Sequence, residues 1–181
     1  MESLETAGLI IFDLDGTLIK LDVNWPLMKK ELSDLFHRVY GFDSDFTPLT
    51  KVLEEVREKH GETGLKDALS IIKEHEENGL AHSHPLPALD LLKSADSSKK
   101  IAIFSTNTRH AVERALAYYN VLSRVSMIVS FEDVKETKPD PEGIEKIVSA
   151  LGFAKKDVVY FGDKDVDREA GKRAGVYTKI V

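Results

Sequence analysis

The chain has 181 residues, 42% of them hydrophobic, which is enough for one full core and at most a small appended subdomain. Its 25 basic and 31 acidic residues give a formal charge of -6, the wrong sign for attraction to a nucleic-acid backbone, so no nucleic-acid partner is expected. The absence of cysteine excludes disulfides, thiolate metal sites and cysteine nucleophiles, and leaves catalysis to oxygen and nitrogen groups.

Met1 to Gly8 carry Glu2 and Glu5 and no basic group ahead of a long apolar run, so no signal peptide is expected. No stretch approaches the roughly 18 apolar residues that cross a bilayer, and the expectation is a soluble, cytoplasmic protein without a membrane partner. Leu9 to Phe12 is an apolar run too short for a helix and reads as a strand buried on both faces. The next such run begins only at Ile101, roughly ninety residues on, far more than a strand crossover requires. The intervening stretch reads as helical. Met28, Leu32, Leu35, Phe36 and Val39 share one face, as do Leu49, Val52, Leu53 and Val56, and then Leu65, Ala68, Leu69 and Ile72. A helical cap is therefore expected at residues 20-83, inserted into a core formed by residues 1-19 and 84-181. It returns through Pro85 and Pro87 to a helix near Ala88 to Leu92. Strand-like runs follow at Ile101 to Phe104, Val125 to Val129, Val158 to Phe161 and Val176 to Val181, with amphipathic helices between them. This alternation predicts an α/β fold with a doubly wound, Rossmann-like parallel sheet.

The chemistry-bearing residues stand at the carboxyl ends of these runs, where open parallel sheets bind ligands. Ile10-Ile11-Phe12 delivers Asp13 and Asp15, two carboxylates one residue apart. Their mutual repulsion calls for a proton or a cation. Gly16 permits a sharp turn whose amides could face an anion. Ser105-Thr106-Asn107-Thr108 follows the second core run and offers hydroxyls and amides at a helix start. Lys138 follows the third run as a point charge, with Pro139 read as opening the next helix. Gly162-Asp163-Lys164-Asp165-Val166-Asp167 follows the fourth and adds carboxylates. Hard oxygen donors without cysteine or a suitable histidine pair point to Mg2+ rather than zinc. His82 and His84, beside Pro85, read as an exposed hinge, and Lys29, Lys30 and Arg38 as a solvated helix face.

Taken in order, Asp13-Leu14-Asp15-Gly16-Thr17, Ser105, Lys138 and Gly162-Asp163 with Asp167 resemble the four motifs of the haloacid dehalogenase superfamily, in particular its phosphoglycolate-phosphatase-like branch. The resemblance spans the whole chain. It implies a phosphatase that hydrolyses a small phosphate monoester, phosphoglycolate among the candidates, through a phosphoaspartate intermediate. In it Asp13 is the nucleophile and a metal ligand. Asp15 is the acid and base and lends its backbone carbonyl to the metal, Asp163 is a third ligand, and Asp167 is a ligand or a partner of one. Ser105, or Thr106 in the next register, joins Lys138 in holding the phosphoryl group. A sugar phosphomutase would share these motifs. A receiver-like signalling module would instead carry its phosphoacceptor on a middle strand. The substrate, and the choice between monomer and homodimer, are not written in these residues.

Overall fold

In the computed structural model, residues 6-181 are described. The reading of the amino terminus, with Glu2 and Glu5, therefore lies largely outside the described residues. Among the described residues no helix is long and apolar enough to cross a membrane.

The chain forms two compact units, one running up to Leu21 and resuming at Ser83–Val181, the other Asp22–His82. The first unit is built on five parallel strands: β1 (Leu9–Phe12), β4 (Lys100–Phe104), β5 (Met127–Val129), β6 (Val158–Gly162) and β7 (Tyr177–Ile180), in the order β5-β4-β1-β6-β7. The doubly wound sheet expected from the sequence is thus formed. Every residue of β1 and β6 is buried, which explains their unbroken apolar sequence. Chain connections leave β1 towards β4 and β5 on one side and later reach β6 and β7 on the other, so β1 is the switch point of the sheet.

Helices α3 (Pro87–Ser94), α4 (Arg109–Tyr118), α5 (Glu142–Leu151) and α6 (Asp165–Ala174) flank the sheet. Leu9, Ile11, Ala102, Phe104 and Tyr160 on one sheet face pack with Ile144 and Ile147 of α5 and Ala170 and Ala174 of α6. The alternate residues Ile10 and Phe12 point the other way, towards Leu91 of α3. Two short antiparallel segments, β2 (Ile19–Lys20) and β3 (His84–Pro85), were not expected, because two residues carry no periodicity. Here His84 pairs with Lys20, and both His82 and His84 are exposed. The third core strand begins at Met127 rather than Val125, since Leu122–Arg124 closes a 3-10 turn that Val125 ends.

The second unit holds α1 (Trp25–Tyr40) and α2 (Leu49–Leu80). Asn24 caps α1 by accepting from the Leu27 amide, and Gly41 ends it in the left-handed conformation. Met28, Leu32 and Phe36 are buried as expected, but Val39 is 55% exposed. The aromatic contacts of this helix instead run from Phe36 and Tyr40 to Phe42, Phe46 and His60. The two expected helical stretches after Pro48 are joined as α2 across a break at Gly61, whose φ of 64° an L-residue avoids. Lys30 pairs with Asp34 and Lys29 donates to Thr47, both on an exposed face.

Candidate active site

Asp13 follows the last residue of β1, and its amide donates to Phe161 O of β6 at 2.8 Å. The position of Asp13 is therefore fixed by the sheet's own hydrogen bonding at the switch point. The chain then turns through Gly16, at φ 94°. A Cβ there would lie 2.2 Å from Asp163 Oδ2, so only glycine lets the β1 and β6 loops approach this closely. The Gly16 amide does not face an anion: it donates to Ile19 O at 2.8 Å, because the turn closes on itself.

Lys138 lies 125 positions from Asp13 in sequence, yet its Nζ donates to Asp13 Oδ1 at 2.6 Å and to Asp167 Oδ1 at 2.7 Å. Its side chain is 3% exposed and packs over the rings of Phe104 and Tyr160. Asp167, in the first turn of α6, also accepts from Tyr160 Oη at 2.5 Å, and through Oδ2 from the Lys164 amide at 3.0 Å. Asp13 Oδ2 takes only a 3.3 Å bond from Thr17 Oγ1, which leaves it the freer oxygen. Asp13, Asp163 and Asp167 each present an oxygen within 4.8 Å of the others. Asp163 Oδ1 is buried without a hydrogen-bond partner among the described residues. A buried carboxylate oxygen left bare in a polar cluster is what a bound cation would satisfy, and an all-oxygen donor set suits a hard divalent ion.

The charges are strongly coupled. Burial pushes the Asp13 carboxyl up to about 6, against the pull of Lys138, and raises Asp163 as well. Burial acts on Asp167 in the same sense but is outweighed by Lys138 and Tyr160, so that carboxyl lies below its ordinary value. Lys138 has its ammonium form strengthened: desolvation opposes the charge, and Asp13 and Asp167 overcome it. Tyr160 is driven well above its usual range by burial and by the neighbouring carboxylates, and remains a neutral donor.

Asp15 is buried but stands apart from the three-carboxylate group. Its Oδ1 accepts from the Leu21 amide at 2.9 Å and lies 3.8 Å from Lys20 Nζ. Ser105 is buried at the end of β4, where its hydroxyl donates to Asn107 Oδ1 at 2.8 Å. It does not cap the following helix; Thr108 does, accepting from the Ala111 amide. Thr106 is exposed. Pro139 does not open α5 either, since that helix begins at Glu142 after Pro141. Asp165 is 92% exposed and pairs with Arg168, away from the cluster. Tyr160 is the participant that sequence reading missed. The available signal was one hydroxyl inside an otherwise apolar buried strand, a group that needs a partner.

The sequence profile described as haloacid dehalogenase-like hydrolase matches residues 10–181. A phosphoglycolate phosphatase of Aquifex aeolicus is 31% identical over 184 residues, covering 94% of this chain and 83% of that protein. The pyrophosphatase PpaX of Oceanobacillus iheyensis is 30% identical over 181 residues, covering 95% and 82%. Among solved structures, CbbY from Rhodobacter sphaeroides in complex with phosphate superposes with a TM-score of 0.70 at 19% identity, covering 95% of this chain and 84% of that one. A haloacid dehalogenase-like hydrolase from Bacteroides fragilis gives 0.68 at 25% identity, covering 95% and 86%.

Proposed function

The chain belongs to the haloacid dehalogenase-like hydrolases, and from that premise we propose that it is a magnesium-dependent phosphatase of small phosphate compounds working through a phosphoaspartate on Asp13. The observation that carries this reading is the cluster of three carboxylates beside Lys138, Asp13 and Asp167 buried and Asp163 half-buried, with Asp163 Oδ1 unpartnered among the described residues. Asp13, Asp163 and the Asp15 backbone carbonyl would hold the cation, with Asp167 beside them. When bound, the cation supplies positive charge that screens the approach of one anion to another.

The residues divide the remaining work. Asp13 Oδ2 attacks phosphorus while the bond to the leaving oxygen breaks. Asp15 gives its proton to that oxygen, then takes one from the water that attacks the phosphoaspartate, and phosphate departs as the bond to Asp13 breaks. Lys138 stays charged throughout and supports the negative charge on the transferred group. Ser105 and Thr106, in the loop after β4, would hold phosphoryl oxygens. Phosphoglycolate and pyrophosphate, after which the two relatives are named, are both candidate substrates here.

The test is release of inorganic phosphate from a panel of small phosphate compounds with Mg2+, for the wild type and for Asp13→Asn and Asp15→Asn. Loss in both variants and on chelation is expected. Full turnover by Asp13→Asn would remove it from the nucleophile role, and transfer to a sugar phosphate in excess of phosphate release would favour a mutase.

A further inference from the structure

We propose that Lys164 is a specificity-determining residue of this site, selecting phosphate compounds whose leaving group is itself an anion, either a carboxylate-bearing alkoxide or a second phosphate. The inference rests on the phosphatase reading and adds to it the chemistry of the leaving group.

Lys164 directly follows Asp163 and is carried by the same turn. Its Nζ lies 3.8 Å from Asp163 Oδ2, too far for a hydrogen bond, and its side chain is 58% exposed. Three ammonium N–H donors therefore stand open beside the carboxylate cluster. Lys138 differs in kind: it is buried, and Asp13 and Asp167 already occupy it. Lys20 is a second exposed ammonium of this kind, 3.8 Å from Asp15 Oδ1.

Charge balance gives these two lysines a use. Asp13, Asp163 and Asp167 set three negative charges against the buried Lys138 ammonium, and a divalent cation brings that group to neutrality before substrate arrives. A phosphoryl group with a neutral remainder adds the charge that the cation and Lys138 must meet. A substrate with a further anion exceeds that supply. Among the described residues, Lys164 is the exposed ammonium paired with a carboxylate of this group, and Lys20 the one paired with Asp15. As a solvated surface pair alone, Lys164 would contribute little and select nothing.

The experiment measures kcat/KM at saturating Mg2+ for inorganic pyrophosphate, 2-phosphoglycolate and phenyl phosphate, in the wild type, Lys164→Met, Lys164→Arg and Lys20→Met. Lys156→Met, at the opposite end of β6, serves as the control lysine. The ratio of anionic to neutral leaving-group substrates is expected to fall about tenfold or more in Lys164→Met, which is the worth of one charge-assisted hydrogen bond. Lys164→Arg should restore most of it, Lys20→Met should lower it less, and Lys156→Met should not move it. Whether pyrophosphate or phosphoglycolate loses more identifies the anion. A ratio within twofold of wild type, even with all rates lower, would overturn the proposal, because an effect transmitted only through Asp13 or Asp163 scales every substrate alike. If the wild type turns over phenyl phosphate and the ratio is unmoved, only this inference falls. If it turns over none of the three, the phosphatase reading falls with it.

Discussion

Asp13→Asn should make the metal-free protein more stable while abolishing turnover. The Asp13 carboxyl is held at about 6 in the fold against an ordinary 3.8, chiefly by burial. The native state therefore keeps a proton that the unfolded chain has released, and stability falls as pH rises through that window. At about 1.4 kcal/mol per pKa unit, the ionised carboxylate costs about 3 kcal/mol at pH 8 and about half of that at pH 5. Asparagine keeps the shape and can still accept from Lys138, but it carries no charge, so it should recover that amount. Urea denaturation after chelation, at pH 8 and pH 5, measures the difference. Adding Mg2+ at about 100 times its dissociation constant should stabilise the wild type by about 2.7 kcal/mol and the variant by much less. A variant no more stable than wild type at pH 8, or a gain that does not shrink at pH 5, would refute the account of Asp13 as a buried charge awaiting a cation.

Tyr160→Phe removes the 2.5 Å donor to buried Asp167 and should cost about 1–3 kcal/mol in urea denaturation. Because the Asp167 carboxyl is depressed in the fold, its stabilisation is present above the ordinary value and lost as pH falls through the folded one. Acid unfolding of Tyr160→Phe should accordingly begin at higher pH; an unchanged acid midpoint would argue that Lys138 alone holds Asp167. Gly16→Ala would combine a φ of 94° with a Cβ 2.2 Å from Asp163 Oδ2. It should weaken Mg2+ binding at least tenfold by calorimetry, and unaltered affinity would show that the two loops can part without disturbing the cation site.

Much of this protein is written locally. Leu9 to Phe12 and Val158 to Phe161 are read as strands because residues buried on both faces must be apolar, and Asp13 and Asp163 stand out because polar groups begin where those runs end. Gly16 and the Asp13-x-Asp15 spacing are legible in the same way, as is the long helical insertion after the first strand. Other features depend on which strands become neighbours and in what register. Lys138 reaches Asp13 only because the chain passes from β1 to β4 and β5 and then returns, bringing residues 125 positions apart to 2.6 Å. Tyr160 aims its hydroxyl at Asp167 because the five residues of its buried strand fix its face, a direction that hydrophobicity alone does not encode. The carboxylates, the lysine and the glycine were determined by the sequence itself. Their mutual distances, the raised affinity of Asp13 for its proton and the unpartnered oxygen of Asp163 were decided by tertiary structure, because electrostatic coupling follows separation in space and exclusion of water rather than order along the chain.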